Sequence, residues 1–290
     1  FGFHKLQALF EYAKSTEESI RPLHVIGLHV YASPNLVPLN EHSTFLKNVV
    51  SQVDEDYGVD VYELDKRVMD FIESNEAAIA ALDDPSVAVA LGEEGKEWID
   101  GYGRVIQFLD DHLVELQDAY SYRPEIPFMA RQVAYAAQQD LQKYYASQTS
   151  SIANGEALDE GMAANVFYFL DQAYPGSKMV TWAHNDHILE NGSNFGRINF
   201  GWFLDDRYGN EVYTIGLFDG ETPRNEVIEL FHQAGEPLFL IDLLHQSKET
   251  GNEWLFRTQP MAPSDRLNVG LRNSYDAILY FDQISLPDLK

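Results

Sequence analysis

The spacing of hydrophobic residues predicts a helix near the start of the chain and a strand after it. Within residues 4–13, apolar side chains recur every three to four positions, which places them on one face of a helix. The apolar run 23–31 follows Arg21-Pro22 and has the composition of a strand. Residues 32–38 contain two prolines and an asparagine, which favours a loop.

The middle of the chain, residues 39–147, has a helical pattern almost throughout. Its amphipathic stretches cover 60–82, 93–118 and 126–146. Prolines separate these stretches, at positions 85, 124 and 127. Because strand-like alternation is nearly absent here, we predict an all-helical subdomain over residues 39–150.

The last part of the chain alternates between helical and strand-like patterns. Helices are predicted at 159–174, 198–207 and 224–234. Strands are predicted at 178–184, 211–217, 237–243, 253–257 and 275–283. Such alternation is typical of an α/β fold with a parallel or mixed sheet flanked by helices. We therefore predict this fold class, with 1–38 as a remnant of the α/β core, 39–150 as an inserted all-helical subdomain and 151–290 as the α/β domain.

Composition and charge exclude several classes of function. The 290 residues carry a net charge of −26, with 20 Lys and Arg against 46 Asp and Glu. Binding to nucleic acid or to an anionic membrane requires clustered basic residues, so neither partner is expected. The absence of cysteine excludes disulfides and thiolate chemistry. Since no apolar stretch is long enough to span a membrane and no leader is recognised, we expect a cytoplasmic protein.

The sequence VTWAHNDHI, residues 180–188, carries the candidate chemistry. The apolar run 178–182 has the pattern of a buried strand, so His184 is predicted to lie at the carboxyl end of a sheet strand. Ligands of open α/β sheets bind outside that edge. Imidazoles titrate near neutral pH and can move protons, which makes His184 and His187 candidate catalytic residues. Asn185, between them, is a candidate for orienting an imidazole or a substrate.

Two alternatives to catalysis remain for this pair of histidines. Histidines in a loop are often only solvated or capping groups. The His-x-x-His spacing also supplies two ligands for zinc, but a catalytic zinc site needs three protein ligands and a structural site four. The other seven histidines form no recognisable third-ligand motif. We therefore predict no metal and no cofactor, with a metal-dependent hydrolase as the alternative.

Several segments of the chain, taken in order, resemble the erythromycin esterase family. They are Pro22–Gly27, Met162–Leu170, Tyr174–Lys178, Val180–Ile188, Phe200–Gly209, Val212–Gly216 and Tyr275–Tyr280. The most specific is Val180–Ile188, which is similar to the family's strand ending in Trp-Ala-His-Asn-x-His. The resemblance covers most of the chain and implies an α/β protein with an inserted helical region.

This resemblance implies a hydrolase for a small-molecule ester, of which the macrolactone of a macrolide antibiotic is the example. The family mechanism is a metal-independent activation of water by histidine and glutamate, and imidazole is suited to that task near neutral pH. The resemblance assigns His184 and His187 as catalytic residues. The residues predicted to bind the substrate are Asn185, Trp182, His29 and Asn165.

The chain departs from the family pattern at three places. The family's early Gly-Glu-x-x-His-Gly element is not found, so we expect that it lies before Phe1 and that this chain is inactive alone. The sheet edges exposed in this way would promote association. We therefore expect either that the chain self-associates or that an N-terminal segment is missing. His29 stands where the family has an aspartate, and Leu158 where an arginine is common. These changes keep open a non-catalytic member of the family and a haem-binding protein of related fold.

Overall fold

The computed structural model of the chain describes residues 3–16, 19, 22–28, 39–75, 86–147, 151–191, 198–220, 226–260 and 268–283. His29 and the predicted loop 32–38 lie outside these ranges. The chain forms two compact units. One consists of Phe1–Leu28, Ala183–Phe195 and Leu204–Lys290, and is called the α/β unit here. The other consists of His29–Trp182 and Gly196–Phe203, and is called the helical unit. The predicted domain boundaries at residues 38 and 150 stay a prediction.

The helices of the described residues follow the predicted periodicity. They are α1 (Phe3–Ser15), α2 (Leu39–Val50), α3 (Glu55–Ser74), α4 (Ser86–Asp111), α5 (Leu113–Ala119), α6 (Ile126–Ser147), α7 (Ser151–Tyr168), α8 (Phe200–Tyr208), α9 (Glu226–Gln233) and α10 (Leu271–Ser274). A π-helical turn, Phe169–Ala173, continues α7. The prediction of helices across 39–147 is therefore confirmed for the described residues.

One hydrophobic core holds the helices α2 to α6 together. It buries Val68 and Ile72 of α3, Tyr102 and Leu109 of α4, and Leu141 of α6. Within each helix these positions lie three, four or seven residues apart, so one face of the helix is removed from water. This burial, rather than helix propensity, supplies most of the stability of such helices.

Local chemistry explains where two of these helices begin and bend. Asp54 caps α3, because its side chain accepts the backbone N–H of Tyr57 at 2.8 Å. Gly92 interrupts α4 with a φ of 53°, a left-handed conformation that glycine adopts without steric cost. The predicted stretch 93–118 forms two helices, α4 and α5, instead of one.

The α/β unit is built on a mixed three-stranded sheet. Its strands are β1 (Ile215–Asp219), β2 (Leu238–Asp242) and β5 (Ala277–Phe281), in the order β1-β5-β2. β1 pairs parallel to β5, and β2 pairs antiparallel to it. Leu279 in the central strand lies opposite Leu217 on one side and Leu240 on the other. A short hairpin of β3 (Thr258–Pro260) and β4 (Asn268–Gly270) stands apart from this sheet.

Helix α9 covers part of the sheet through aromatic contacts. The ring of Phe231 lies 5.4 Å from that of Tyr280 and 5.5 Å from that of Phe239, measured between centroids. Leu189, which follows the histidine motif, is buried in the same hydrophobic cluster. The structure thus confirms an α/β fold that combines helices, a small mixed sheet and an all-helical part. Among the described residues, none of the helices is long and apolar enough to cross a membrane.

Two predicted strands are wrong in the described residues. Residues 23–28 of the predicted strand 23–31 form neither helix nor strand, and the same is true of residues 178–184. In the second segment, Val180 is 94% and Trp182 is 82% exposed. A strand exists only where a neighbouring strand accepts and donates its hydrogen bonds, and the described residues provide no such neighbour for either segment. The expectation of a buried strand before His184 is therefore corrected.

A third predicted strand is shifted along the chain. The predicted residues 253–257 coincide with a 3-10 turn, Glu253–Phe256, and the strand β3 begins at Thr258. Leu255 in this turn is buried, so its apolar pattern reflects packing of a turn and not strand alternation. The strands predicted at 237–243 and 275–283 are confirmed with shorter bounds, and the strand predicted at 211–217 is shifted, because β1 covers Ile215–Asp219.

Candidate functional site

The histidine motif lies in a tight turn of the α/β unit. The backbone N–H of His187 donates to the carbonyl of His184 at 2.9 Å. The His184 side chain is 72% exposed, and its Nδ1 has two neighbours. Nδ1 accepts the N–H of Asp186 at 3.3 Å and lies 3.6 Å from the Asp186 carboxylate. His184 therefore offers a solvent-accessible imidazole with an acid at one of its nitrogens.

The two neighbours of Nδ1 correspond to two protonation forms of the His184 ring. When Nδ1 accepts the Asp186 N–H, the proton of the neutral ring is on Nε2. When the proton is on Nδ1, that N–H faces the Asp186 carboxylate and the Nε2 lone pair is free to accept a proton. The carboxylate also stabilises the doubly protonated ring that forms after such a transfer.

Asn185 attaches the histidine turn to strand β1. Its Nδ2 donates to the carbonyl of Leu217 at 2.5 Å, and its Oδ1 accepts the N–H of Leu217 at 3.0 Å. A carboxamide presents the same donor and acceptor as a peptide group, so Asn185 replaces one residue of a neighbouring strand. Both amide functions are engaged with β1, and a substrate-binding role for Asn185 stays a prediction.

Tyr275 contacts the same turn through its side-chain hydroxyl. It is fully buried, and its hydroxyl donates to the carbonyl of Asn185 at 3.4 Å. Burial, followed by the charge of Asp186, raises the pKa of the Tyr275 hydroxyl far above its ordinary value. Tyr275 is therefore a permanent neutral donor that helps to position the backbone between His184 and Asp186.

The structure adds a carboxyl group that the sequence reasoning missed. Glu190, three residues after His187, is half-buried, and its pKa is raised to about 7. The largest cause is burial; the charges of Asp276 and Asp205 raise it further, and a hydrogen bond from Thr214 lowers it. An acid directly after the apolar pair Ile188-Leu189 was the available sequence signal, because such a pair carries its neighbour into the interior.

A second acid–imidazole pair lies elsewhere in the α/β unit. His232, at the end of α9, places Nδ1 2.6 Å from Oδ1 of Asp282, which directly follows β5. The hydroxyl of Tyr280 donates to the same oxygen at 3.0 Å. These residues join the end of a helix to the end of a strand, and the three-dimensional fold was needed to bring them together.

The remaining predicted site residues are not brought to the histidines within one unit. Trp182 is exposed and Asn165, in α7, is buried; both belong to the helical unit. His29 lies outside the described residues. The α/β unit itself joins His184, Asn185 and His187. Over the described ranges, no three His, Asp or Glu side chains are grouped so as to hold a metal ion.

Fold and turn together define an α/β protein with an exposed imidazole fixed beside its sheet. The chain belongs to the erythromycin esterase family, whose pattern it matches over residues 3–284. The family prediction made from the Ala-His-Asn-x-His motif is thereby confirmed.

Comparison with individual proteins agrees with this assignment. A protein of Bacillus subtilis (strain 168) named "Putative hydrolase YbfO" is 20% identical over 317 residues, which cover 96% of this chain and 67% of that protein. A solved structure of a succinoglycan biosynthesis protein matches with a TM-score of 0.68 at 16% identity, over 96% of this chain and 70% of the other.

A third match is a histidine-to-asparagine variant of erythromycin esterase EreC in its open conformation. Its TM-score is 0.66 at 16% identity, over 99% of this chain and 76% of the other. At this identity the two structural matches show the fold. Family membership and the hydrolase relative together support a hydrolase-like function and a small-molecule substrate.

Proposed function

We propose that this protein hydrolyses a carboxylic ester, of the macrolactone type, with water activated by His184. The observation that carries the proposal is the exposed imidazole of His184 with the Asp186 carboxylate 3.6 Å from its Nδ1. Family membership supplies the reaction class, and the turn supplies a group able to perform it. The macrolide as the particular substrate rests on the family alone.

In this mechanism Nε2 of His184 takes a proton from water while the water oxygen attacks the ester carbonyl. The ring then carries two protons, and the Asp186 carboxylate faces the one on Nδ1. His187, held by its backbone hydrogen bond to His184, stabilises the negative oxygen that develops on the carbonyl. The proton on Nε2 finally passes to the leaving alcohol as the tetrahedral intermediate collapses.

The test is a hydrolysis assay with erythromycin and with a simple aryl ester, followed by mass spectrometry. An inactive wild-type chain would agree with the prediction that an N-terminal segment is needed, and the assay is then repeated with that segment present. Where the wild type is active, we expect His184→Ala to lower kcat/KM by about 100-fold or more, the usual contribution of a general base. His245→Ala is the matched control, because His245 is 74% exposed and places Nδ1 2.7 Å from Asp242. Equal activity of wild type and His184→Ala would overturn the proposal.

Two alternatives are decided by the same preparation. Loss of activity with a chelator and its return with zinc would favour the metal-dependent hydrolase. A Soret band on titration with haem, without hydrolysis, would favour the binding protein. The expectations that the protein has no nucleic-acid or membrane partner, that it is cytoplasmic, and that it self-associates or needs an N-terminal segment stay predictions.

A further inference from the structure

We propose that Glu190 is a pH-dependent latch, which holds the histidine turn on the sheet through a proton shared with Asp276. Glu190 acts as a positioning residue, since it works through the backbone that carries His184 and His187. The proposal deepens the proposed function by adding regulation of the same site, and its effect on hydrolysis rests on that function.

The segment 184–191 is attached to the α/β unit at both ends. At its start, the Asn185 side chain pairs with Leu217 in the middle of β1. At its end, the N–H of Glu190 donates to the carbonyl of Ser274 at 3.3 Å. The Ser274 hydroxyl in turn donates to Oδ1 of Asn191 at 3.2 Å. His187 therefore lies between an anchor that carries no charge and one that includes a carboxyl group, and His184 directly precedes the first anchor.

Asp276 is a fixed partner for this second anchor. Its side chain is buried, and Oδ2 accepts the N–H of Thr214 at 2.9 Å. Its backbone N–H donates to the carbonyl of Thr214 at 2.9 Å, and its own carbonyl accepts the N–H groups of Leu243 and Leu244. The Asp276 backbone is thus held by the residues before β1 and after β2, and its carboxyl group gives up the hydrogen bond from the Thr214 N–H if it turns away.

A hydrogen bond between the carboxyl groups of Glu190 and Asp276 requires one proton. Burial is the main reason that the pKa of Glu190 is raised to about 7, and the nearby acids Asp276 and Asp205 add to it. Asp205, whose charge acts on Glu190, belongs to α8. Tyr213 also lies near two acids, because burial and then the charges of Asp242 and Asp276 raise its pKa. The surroundings of the pair are therefore acidic, and they favour the shared proton.

The sign of the pH effect follows from the raised pKa of Glu190. A group with a raised pKa in the closed state contributes stability that is complete below its ordinary value of 4.5 and is lost as the pH rises to about 7. Above that value Glu190 is charged, and the neighbouring acids disfavour this charge in the closed state. We therefore expect the end of the turn at Glu190 to open more often as the pH increases, until the effect levels off above pH 7.

The test is amide hydrogen exchange of His187 and Glu190 in the intact protein between pH 5.5 and 8.5, corrected for the intrinsic exchange rate. In wild type we expect protection to fall about tenfold from pH 5.5 to 7 and then to stay level. In Glu190→Gln the side chain keeps its shape and a donor towards Asp276, so protection should not change with pH. This variant retains the imidazoles and Asp186, so any effect of their titration on exchange is the same in both proteins and cancels in the comparison.

Two further variants make the result specific. Glu211→Gln removes the same charge at an exposed position of the same unit, and it should behave as wild type. Asp276→Asn supplies a neutral partner to Glu190 and should weaken the pH dependence. Flat protection in wild type, or an unchanged fall in Glu190→Gln, would overturn the latch. Because exchange needs no substrate, this failure is distinct from a failure of the hydrolysis assay.

Discussion

The helical unit surrounds a buried acid, and the α/β unit a half-buried one, in opposite ways. In the helical unit, the Asp65 carboxyl group accepts hydrogen bonds from Ser43 at 2.6 Å and Tyr102 at 2.7 Å, and lies 2.9 Å from Nδ1 of His42. In the α/β unit, Glu190 lies against other acids. The first arrangement satisfies a negative charge, whereas the second penalises it.

This difference predicts that the acid of the helical unit contributes to stability and that the acid of the α/β unit responds to pH. Burial, followed by the charge of Asp65, raises the pKa of Tyr102 well above its ordinary value, so this phenol remains a donor at any physiological pH. The acid in the helical unit therefore has a partner that does not titrate near neutral pH. Glu190 titrates in the range where an enzyme works, and it does so beside the candidate catalytic turn.

The largest expected effect comes from neutralising each acid in turn. Asp65→Asn replaces an acceptor oxygen by a donor and leaves donors such as Ser43 without an acceptor, which should lower the free energy of unfolding by about 2–3 kcal/mol. Glu190→Gln should cause no loss at pH 7.5, because it removes repulsion. Urea denaturation followed by circular dichroism measures both.

Asp70→Asn is the control for this comparison, because its carboxylate is exposed and pairs with Lys66 on the same helix. We expect no measurable change from it. Equal losses in Asp65→Asn and Glu190→Gln would show that the two acids are held alike, and the contrast between the units would be wrong.

A smaller effect is expected from the uncharged anchor of the turn. Asn185→Ala removes both hydrogen bonds to Leu217, which should weaken the attachment of the turn by about 1–2 kcal/mol at every pH. Exchange of the Leu217 and His187 amides reports this opening. Asn210→Ala, at an exposed position before β1, should leave both amides unchanged. If the loss of protection in Asn185→Ala depended on pH, the assignment of Asn185 as the uncharged anchor of the turn would be wrong.

The helical part of the fold could be predicted because its determinants are local. The spacing of Val61, Val68 and Ile72 is enough to predict α3, since a helix makes its hydrogen bonds within itself. The strand predicted at 178–184 failed for the opposite reason. Its apolar residues suit a strand, but Val180 and Trp182 are exposed because a strand also needs a partner that its own sequence cannot supply.

The candidate site shows the same division between local and distant information. His184 and His187 could be chosen from their motif, and their proximity follows from three residues of spacing. The role of Asn185 as a substitute for a strand residue depends on Leu217, and the environment of Glu190 depends on Asp276, 86 positions later in the chain. Such contacts follow from topology, and the composition of either segment does not contain them.

The most direct test of this account is a site-resolved titration of Glu190, by ¹³C NMR of its side-chain carboxyl carbon from pH 3 to 9. The account predicts a midpoint near 7, as for the value of about 7 that burial and the neighbouring acids produce. Asp276→Asn should move the midpoint down towards the ordinary value of 4.5, although burial alone still keeps it above. A wild-type midpoint at 4.5 would mean that Glu190 is charged at neutral pH like any surface acid, and it would contradict the contrast between the two units.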